Sequence, residues 1–245
     1  MSKKLVAEAI GTFALCFVGI LAIGGAQLGG APAGIANLAS IGLAHGLTIA
    51  VMIAALGAIS GAHFNPAVTF GFVVARKLPV ATGVAYWAAQ LVGATLAGGL
   101  LAALFGTGVV AGGTPDLGNG ISPVAGAVVE AVLTFFLVLV VFGAAVDERA
   151  PKSVFPFAIG FTVALDIMAG GPISGAAMNP ARTFGPALAS GHWANHLVYW
   201  VGPLVGGAAA ALLHTWVLAA RAEPAPVAVP EPVPAAKPRA VKRAA

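Results

Sequence analysis

Residues 60–71 read SGAHFNPAVTFG and residues 174–185 read SGAAMNPARTFG, identical at nine of twelve positions and 114 residues apart. In each copy asparagine, a favoured helix N-cap, precedes proline, which is favoured at the first helical position. Asn65-Pro66-Ala67 and Asn179-Pro180-Ala181 therefore each begin a helix. The apolar stretches that follow, 66–75 and 180–189, are only ten residues long, whereas a bilayer-spanning helix needs about 20. Any fold for this chain must hold two short helices, each entered through a glycine-containing stretch (AISGAH and PISGAA) suited to extended backbone.

The solvent for such a fold follows from composition. The 245 residues are 59% hydrophobic and 8% charged, with a mean hydropathy of +0.97. A soluble domain carries about 25% charged residues, so the bilayer is the medium. Six apolar segments, at 5–27, 37–59, 82–105, 122–145, 153–172 and 196–219, approach or exceed the length that spans about 30 Å of hydrocarbon. Irregular backbone before the short helices is tolerated at that depth only where protein buries it or a water-filled cavity hydrates it. Cys16 is the single cysteine, so no intrachain disulfide forms. Lys3 and Lys4 precede a long apolar run without an evident processing site, and no cleavable signal is expected.

Lysine and arginine placement sets the orientation. With both termini cytoplasmic, the inner segments hold eleven of the twelve cations, and the outer loops at 28–36 and 106–121 hold none. The exception is Arg182, inside the second repeated turn. From 222 to 245 the chain alternates proline and alanine with scattered charge, as a disordered basic tail does. The membrane-embedded domain is therefore expected over 1–221.

The repeat extends past the Asn-Pro turns. AEAIGTF (7–13) matches VEAVLTF (129–135), and YWAAQLVGA (86–94) matches YWVGPLVGG (199–207). Two halves, about 5–110 and 122–220, each contain three spans. Three is odd, so the second half is inverted relative to the first, and equivalent features meet near the bilayer midplane. The expected fold is an all-α integral membrane protein with six transmembrane helices and two re-entrant half-helices whose N-termini meet. Two asparagine amides and two positive dipole ends then face one narrow passage, suited to small neutral hydrogen-bonding solutes and hostile to cations and protons.

NPAVTFG and NPARTFG, with the two glutamate helices and YWVGP, resemble the aquaporin (major intrinsic protein) family, over roughly residues 5–220. The resemblance implies a homotetramer with one pore per subunit. It sides with water channels over glycerol channels: Thr183 stands where those carry aspartate, Ala187 where they carry a basic residue, and Tyr199-Trp200 is of the water-channel type. It implies a selectivity filter of His45, Ile167, Ala176 and Arg182, resembling that of the plant tonoplast intrinsic proteins. Helical rise puts His45 and Arg182 each ~4.5 Å outward of the midplane. Ala176 stands where many relatives carry a pore cysteine. Glu8 and Glu130, at equivalent repeat positions, are implied to accept hydrogen bonds from the pore-loop backbone. His63 either lines the inner vestibule or bonds the loop, and Asp166 is left without a role.

The leading reading is a passive water channel that excludes ions and protons. A broader pore passing ammonia, urea or hydrogen peroxide is the alternative, and an ion-coupled secondary transporter the reading from another class. An enzyme is disfavoured, for no nucleophile–base pair, metal-ligand cluster or phosphate loop is present. No cofactor, metal or nucleic-acid partner is expected; the partners are water, small neutral solutes and the lipid bilayer. Composition is compatible with a prokaryotic plasma membrane.

Overall fold

The structure is a computed structural model that describes residues 1–29 and 35–219; the tail expected from 222 lies outside the described residues. Nine α-helices follow in order among them: α1 Ser2–Leu28, α2 Ile35–Ser60, α3 Pro66–Val74, α4 Val80–Phe105, α5 Thr107–Gly113, α6 Pro123–Val140, α7 Phe155–Ser174, α8 Pro180–Ser190 and α9 Val198–Leu213. Two of them run on as π-helix, α6 through Val141–Val146 and α9 through His214–Leu218. Six helices are long and apolar enough to cross a membrane, and no strand occurs among the described residues. Helices satisfy every backbone polar group within the segment, which hydrocarbon demands.

Outward-facing rows are apolar at helical spacing, such as Val84, Val92, Leu96, Leu100 and Leu104 on α4, all more than 40% exposed. Lipid is as apolar as these side chains, so it gives no hydrophobic drive for the helices to pack; close backbone approach does. Glycine supplies it here. A Cβ on Gly93 would overlap the Ala9 carbonyl, seating α4 on α1, and one on Gly206 would overlap the Ala131 carbonyl, seating α9 on α6. These contacts are the same contact twice, for Ala9 and Ala131 are 122 residues apart and Gly93 and Gly206 are 113 apart.

The two halves meet on a pseudo-twofold axis. Gly46 on α2 and Gly160 on α7, 114 residues apart, each press on the other's carbonyl oxygen. Each short helix seats chiefly against the Tyr-Trp helix of the opposite half, α3 on α9 and α8 on α4. Gly71 makes that approach toward the Gly207 carbonyl and Gly185 makes it against Ala94. Trp87 and Trp200 meet edge to face across the axis, ring centroids 5.9 Å apart. The face carrying the N-terminus, Arg76, Lys77, Arg149 and Lys152 is called the basic face below, and the opposite one the far face.

Two local expectations need correction. Residues 58–60 and 172–174 are helical, not extended: α2 runs to Ser60 and α7 continues through Pro172 to Ser174. The 106–121 segment, expected as loop, contains α5.

Candidate functional site

Asn65 and Asn179 cap α3 and α8. Asn65 Oδ1 accepts from the Ala67 amide at 2.8 Å, and Asn179 Oδ1 accepts from the Ala181 and Arg182 amides at 3.0 and 3.3 Å. Pro66 and Pro180 occupy the first turn, where no amide hydrogen is needed. Each asparagine then reaches across the axis: Asn65 Nδ2 donates to the Met178 carbonyl at 2.8 Å, and Asn179 Nδ2 to the Phe64 carbonyl at 2.9 Å. The two helix N-termini are thereby tied head to head.

Three of the four residues before each asparagine take left-handed backbone, in matching positions. Gly61, Ala62 and Phe64 have positive φ of 90, 53 and 49°, and Gly175, Ala176 and Met178 have 78, 45 and 52°. A left-handed non-glycine residue costs on the order of 1–3 kcal/mol and persists only where its surroundings fix it. Two buried carboxylates do so here. Glu8 accepts from the His63 and Phe64 amides at 3.0 and 2.7 Å, from Ser60 Oγ at 2.7 Å and from Gln90 Nε2 at 2.8 Å. Glu130 accepts from the Ala177 and Met178 amides at 2.8 and 2.7 Å and from Ser174 Oγ at 2.7 Å. Phe64 and Met178 are thus held at both ends, amide to glutamate and carbonyl to the opposite asparagine. Tyr86 and Tyr199 complete the frame by donating to the Ser60 and Ser174 carbonyls at 2.7 and 2.8 Å.

Ser60, Ser174, Tyr86, Tyr199 and Gln90 escaped the sequence reading as pore-loop supports. The serines and tyrosines had a signal, since they recur at equivalent places in the repeated SGA and Tyr-Trp segments. Gln90 had none, as proline (Pro203) takes its place in the second copy.

One cavity runs past both asparagines. Toward the far face it is lined by His45, Ile167, Ala176 and Arg182, and toward the basic face by His63, Phe72, Val141, Ala145 and Phe155. Arg182 Nη2 lies 3.2 Å from His45 Nε2. His45 Nδ1 is 2.8 Å from the Ile41 carbonyl, which makes Nδ1 the donor and leaves Nε2 as the acceptor for the arginine. Arg182 Nη1 also points at the Gly113 carbonyl, at 3.5 Å. Ile167 and Ala176 bring no side-chain hydrogen-bonding group to the same end. His63 both lines the cavity and holds Thr69 Oγ1 at 3.1 Å from Nδ1. Pro66, Ala67, Pro180 and Ala181 are buried behind the cavity wall. Asp166 is buried, does not line the cavity, and has no hydrogen-bond partner at Oδ2 among the described residues.

On the far face Asp116 collects the Leu117 amide, Asn195 Nδ2 and His192 Nε2 at 2.7, 2.9 and 2.8 Å. Partial burial would raise its carboxyl; the hydrogen bonds from Asn195, Leu117 and His192, with the histidine's charge, hold it below the usual carboxylate range. On the basic face Asp147 pairs with Arg149, whose side-chain and backbone hydrogen bonds pull the carboxyl well below its ordinary value.

A six-span inverted bundle, threaded by a cavity that passes two opposed helix N-termini, defines a membrane transport protein of the pore type. Its family is shown by sequence: the profile of the major intrinsic proteins matches residues 1–214, and the chain belongs to that family. It is similar to aquaporin TIP2-1 of Zea mays, 47% identical over 219 residues and 86% of each chain. Aquaporin TIP4-4 of Zea mays is 43% identical over 234 residues, covering 91% of this chain and 90% of that one. Aquaporin TIP2-1 of Arabidopsis thaliana is 42% identical over 230 residues, covering 92% and 91%. In fold it matches the X-ray structure of the aquaglyceroporin from Plasmodium falciparum, with a TM-score of 0.76 at 24% identity over 89% of this chain and 96% of that one. The three aquaporins from Zea mays and Arabidopsis thaliana are plant proteins, and they point away from the prokaryotic plasma membrane with which the composition is compatible.

Proposed function

We propose that the chain is a passive water channel that excludes protons and ions, with His45, Ile167, Ala176 and Arg182 as its selectivity filter. The observation that carries this reading is the pair of asparagines tied across the axis within one cavity. Each asparagine amide has two N–H groups and spends one on the opposite loop carbonyl. The second N–H of each is left for a solute in the passage. A water molecule there gives its oxygen lone pairs to two donors at once and turns its hydrogens outward, up and down the pore. That orientation interrupts the hydrogen-bond relay that a proton would need. The positive ends of α3 and α8 repel cations at the same point.

At the outer end Arg182 supplies a permanent charge and several fixed donors. His45 holds that guanidinium through Nε2 while keeping its ring in the wall. Ile167 and Ala176 offer no competing polar group, so selectivity there rests on one cation and on size. We further infer, from the charge pattern and the family, cytoplasmic termini and a homotetramer with one pore per subunit. The polar face bearing Lys3, Lys4, Arg76, Lys77, Arg149 and Lys152 supports that orientation.

Stopped-flow light scattering on proteoliposomes of the full chain tests the reading. Shrinkage under an osmotic gradient should far outpace that of empty vesicles, with no accompanying dissipation of a pH gradient. Shrinkage no faster than that of empty vesicles, or a proton flux that follows the water, would sink it.

A further inference from the structure

The filter arginine has a second neighbour besides His45, and it is backbone. Arg182 Nη1 points at the carbonyl of Gly113, the last residue of α5. A carbonyl at the C-terminus of a short helix is only as well placed as the segment that follows it, and residues 114–118 form no regular element. Three kinds of contact fix that stretch. Thr114 is tied back to α5, Oγ1 donating to the Val110 carbonyl at 2.8 Å. The Gly118 amide donates to the Ile173 carbonyl at 2.8 Å, and Pro115 lies where a Cβ on Gly175 would come within 3.2 Å. Both of these press the stretch onto the pore loop just before Ala176. The third is Asp116, whose side chain leaves the stretch and takes His192 and Asn195, in the segment that follows α8.

Gly113 and Ala176 thus belong to one braced assembly around Arg182, and α8, which carries Arg182, is bound to it through its own C-terminal segment. We propose that Asp116, keyed to His192 and Asn195, is a positioning residue for the outer constriction: it sets how tightly the Gly113 carbonyl and the Arg182 guanidinium close the pore to solutes larger than water. This rests on the channel reading above. Asp116 and His192 are about one-third exposed, touch nothing that passes through the pore, and do not line the cavity. Their effect is on the width and stiffness of the ring, not on its chemistry. Single-file water, already the smallest solute, is insensitive to a small relaxation of the ring, whereas a solute that must squeeze through gains from it.

Proteoliposomes of the full chain carrying Asp116→Ala, His192→Ala, the double variant or His192→Gln separate this from a general structural role. The measured quantity is the glycerol permeability divided by the water permeability of the same preparation. Glutamine puts its amide nitrogen the same number of bonds from Cα as histidine Nε2, so it can restore the donor without the ring. The ratio should rise about fivefold in each alanine variant, equivalent to ~1 kcal/mol at 1.36 kcal/mol per tenfold. The double variant should rise no further than Asp116→Ala, because with the carboxylate gone His192 has no acceptor there left to lose, and the ratio should return to the wild-type value in His192→Gln. Unchanged ratios in both alanine variants would overturn the proposal. So would a loss of water conduction in His192→Ala that His192→Gln fails to reverse, since that marks a fold support only. A wild-type chain with no water conduction would instead remove the channel reading beneath it.

Discussion

Replacing Glu130 with alanine removes the acceptor for two backbone amides and one hydroxyl at 2.7–2.8 Å. The Ser174 hydroxyl can rotate toward another acceptor, but the Ala177 and Met178 amides cannot. Each buried unpaired donor costs about 1–3 kcal/mol, which gives ~2–6 kcal/mol for the two. The same loop holds Ala176 and Met178 at positive φ, a strain of similar size whose release is then opposed chiefly by the Asn65 bond to the Met178 carbonyl. Relaxation of Met178 withdraws the carbonyl that accepts from Asn65, so the damage crosses to the other half. A net loss of even ~2 kcal/mol shifts the balance between native and relaxed loop roughly thirtyfold toward the relaxed one, at 1.4 kcal/mol per tenfold. Stopped-flow water permeability of Glu130→Ala proteoliposomes should therefore fall to near the empty-vesicle rate, with a lowered thermal midpoint. Glu130→Gln keeps one acceptor oxygen and should fall in between. Wild-type permeability and midpoint in Glu130→Ala would refute the idea that this carboxylate holds the pore loop.

Three further outcomes are expected. Ala176→Cys should confer block by a mercurial, because residue 176 lines the cavity, while the wild type resists it: Cys16 is 1% exposed and lies off the pore. Gly206→Ala drives a methyl into the Ala131 carbonyl where neither backbone can yield, and should cost about 1–3 kcal/mol in unfolding measurements; Gly99→Ala, with nothing within 4 Å of its Cβ, should be neutral or slightly stabilising. Asp147 has a lowered folded pKa, so the support it gives is complete above the ordinary carboxylate value of about 3.9 and is lost as pH falls through the lower folded one. In fluorescence melts Asp147→Asn should lie below the wild type at neutral pH and converge with it as the pH drops below both values.

Much of the fold was legible because its signals are local. Hydropathy marks the six spans, Asn-Pro marks the starts of α3 and α8, and the odd number of spans per half dictates inversion. The same repeat pairs Asn65 with Asn179 and Glu8 with Glu130 before any coordinates. What stayed hidden depends on partners far apart in sequence or on unusual backbone. Nothing in AHF or AAM announces left-handed alanine, phenylalanine and methionine; those conformations are imposed by glutamates about 50 residues upstream. The α5 turn is glycine-rich and carries no periodicity. Asp116 and His192 are 76 residues apart, each unremarkable in its own loop.

The account turns on a pair of like half-helices whose difference in charge rests on one residue, Val68 in the first copy against Arg182 in the second. The most direct measurement is the glycerol-to-water permeability ratio of Arg182→Val, which makes the two copies alike at that position. Loss of the only charge in the outer ring should raise the ratio well above the wild-type value while water conduction persists. An unchanged ratio, with water conduction intact, would contradict the claim that Arg182 is what makes the outer mouth selective.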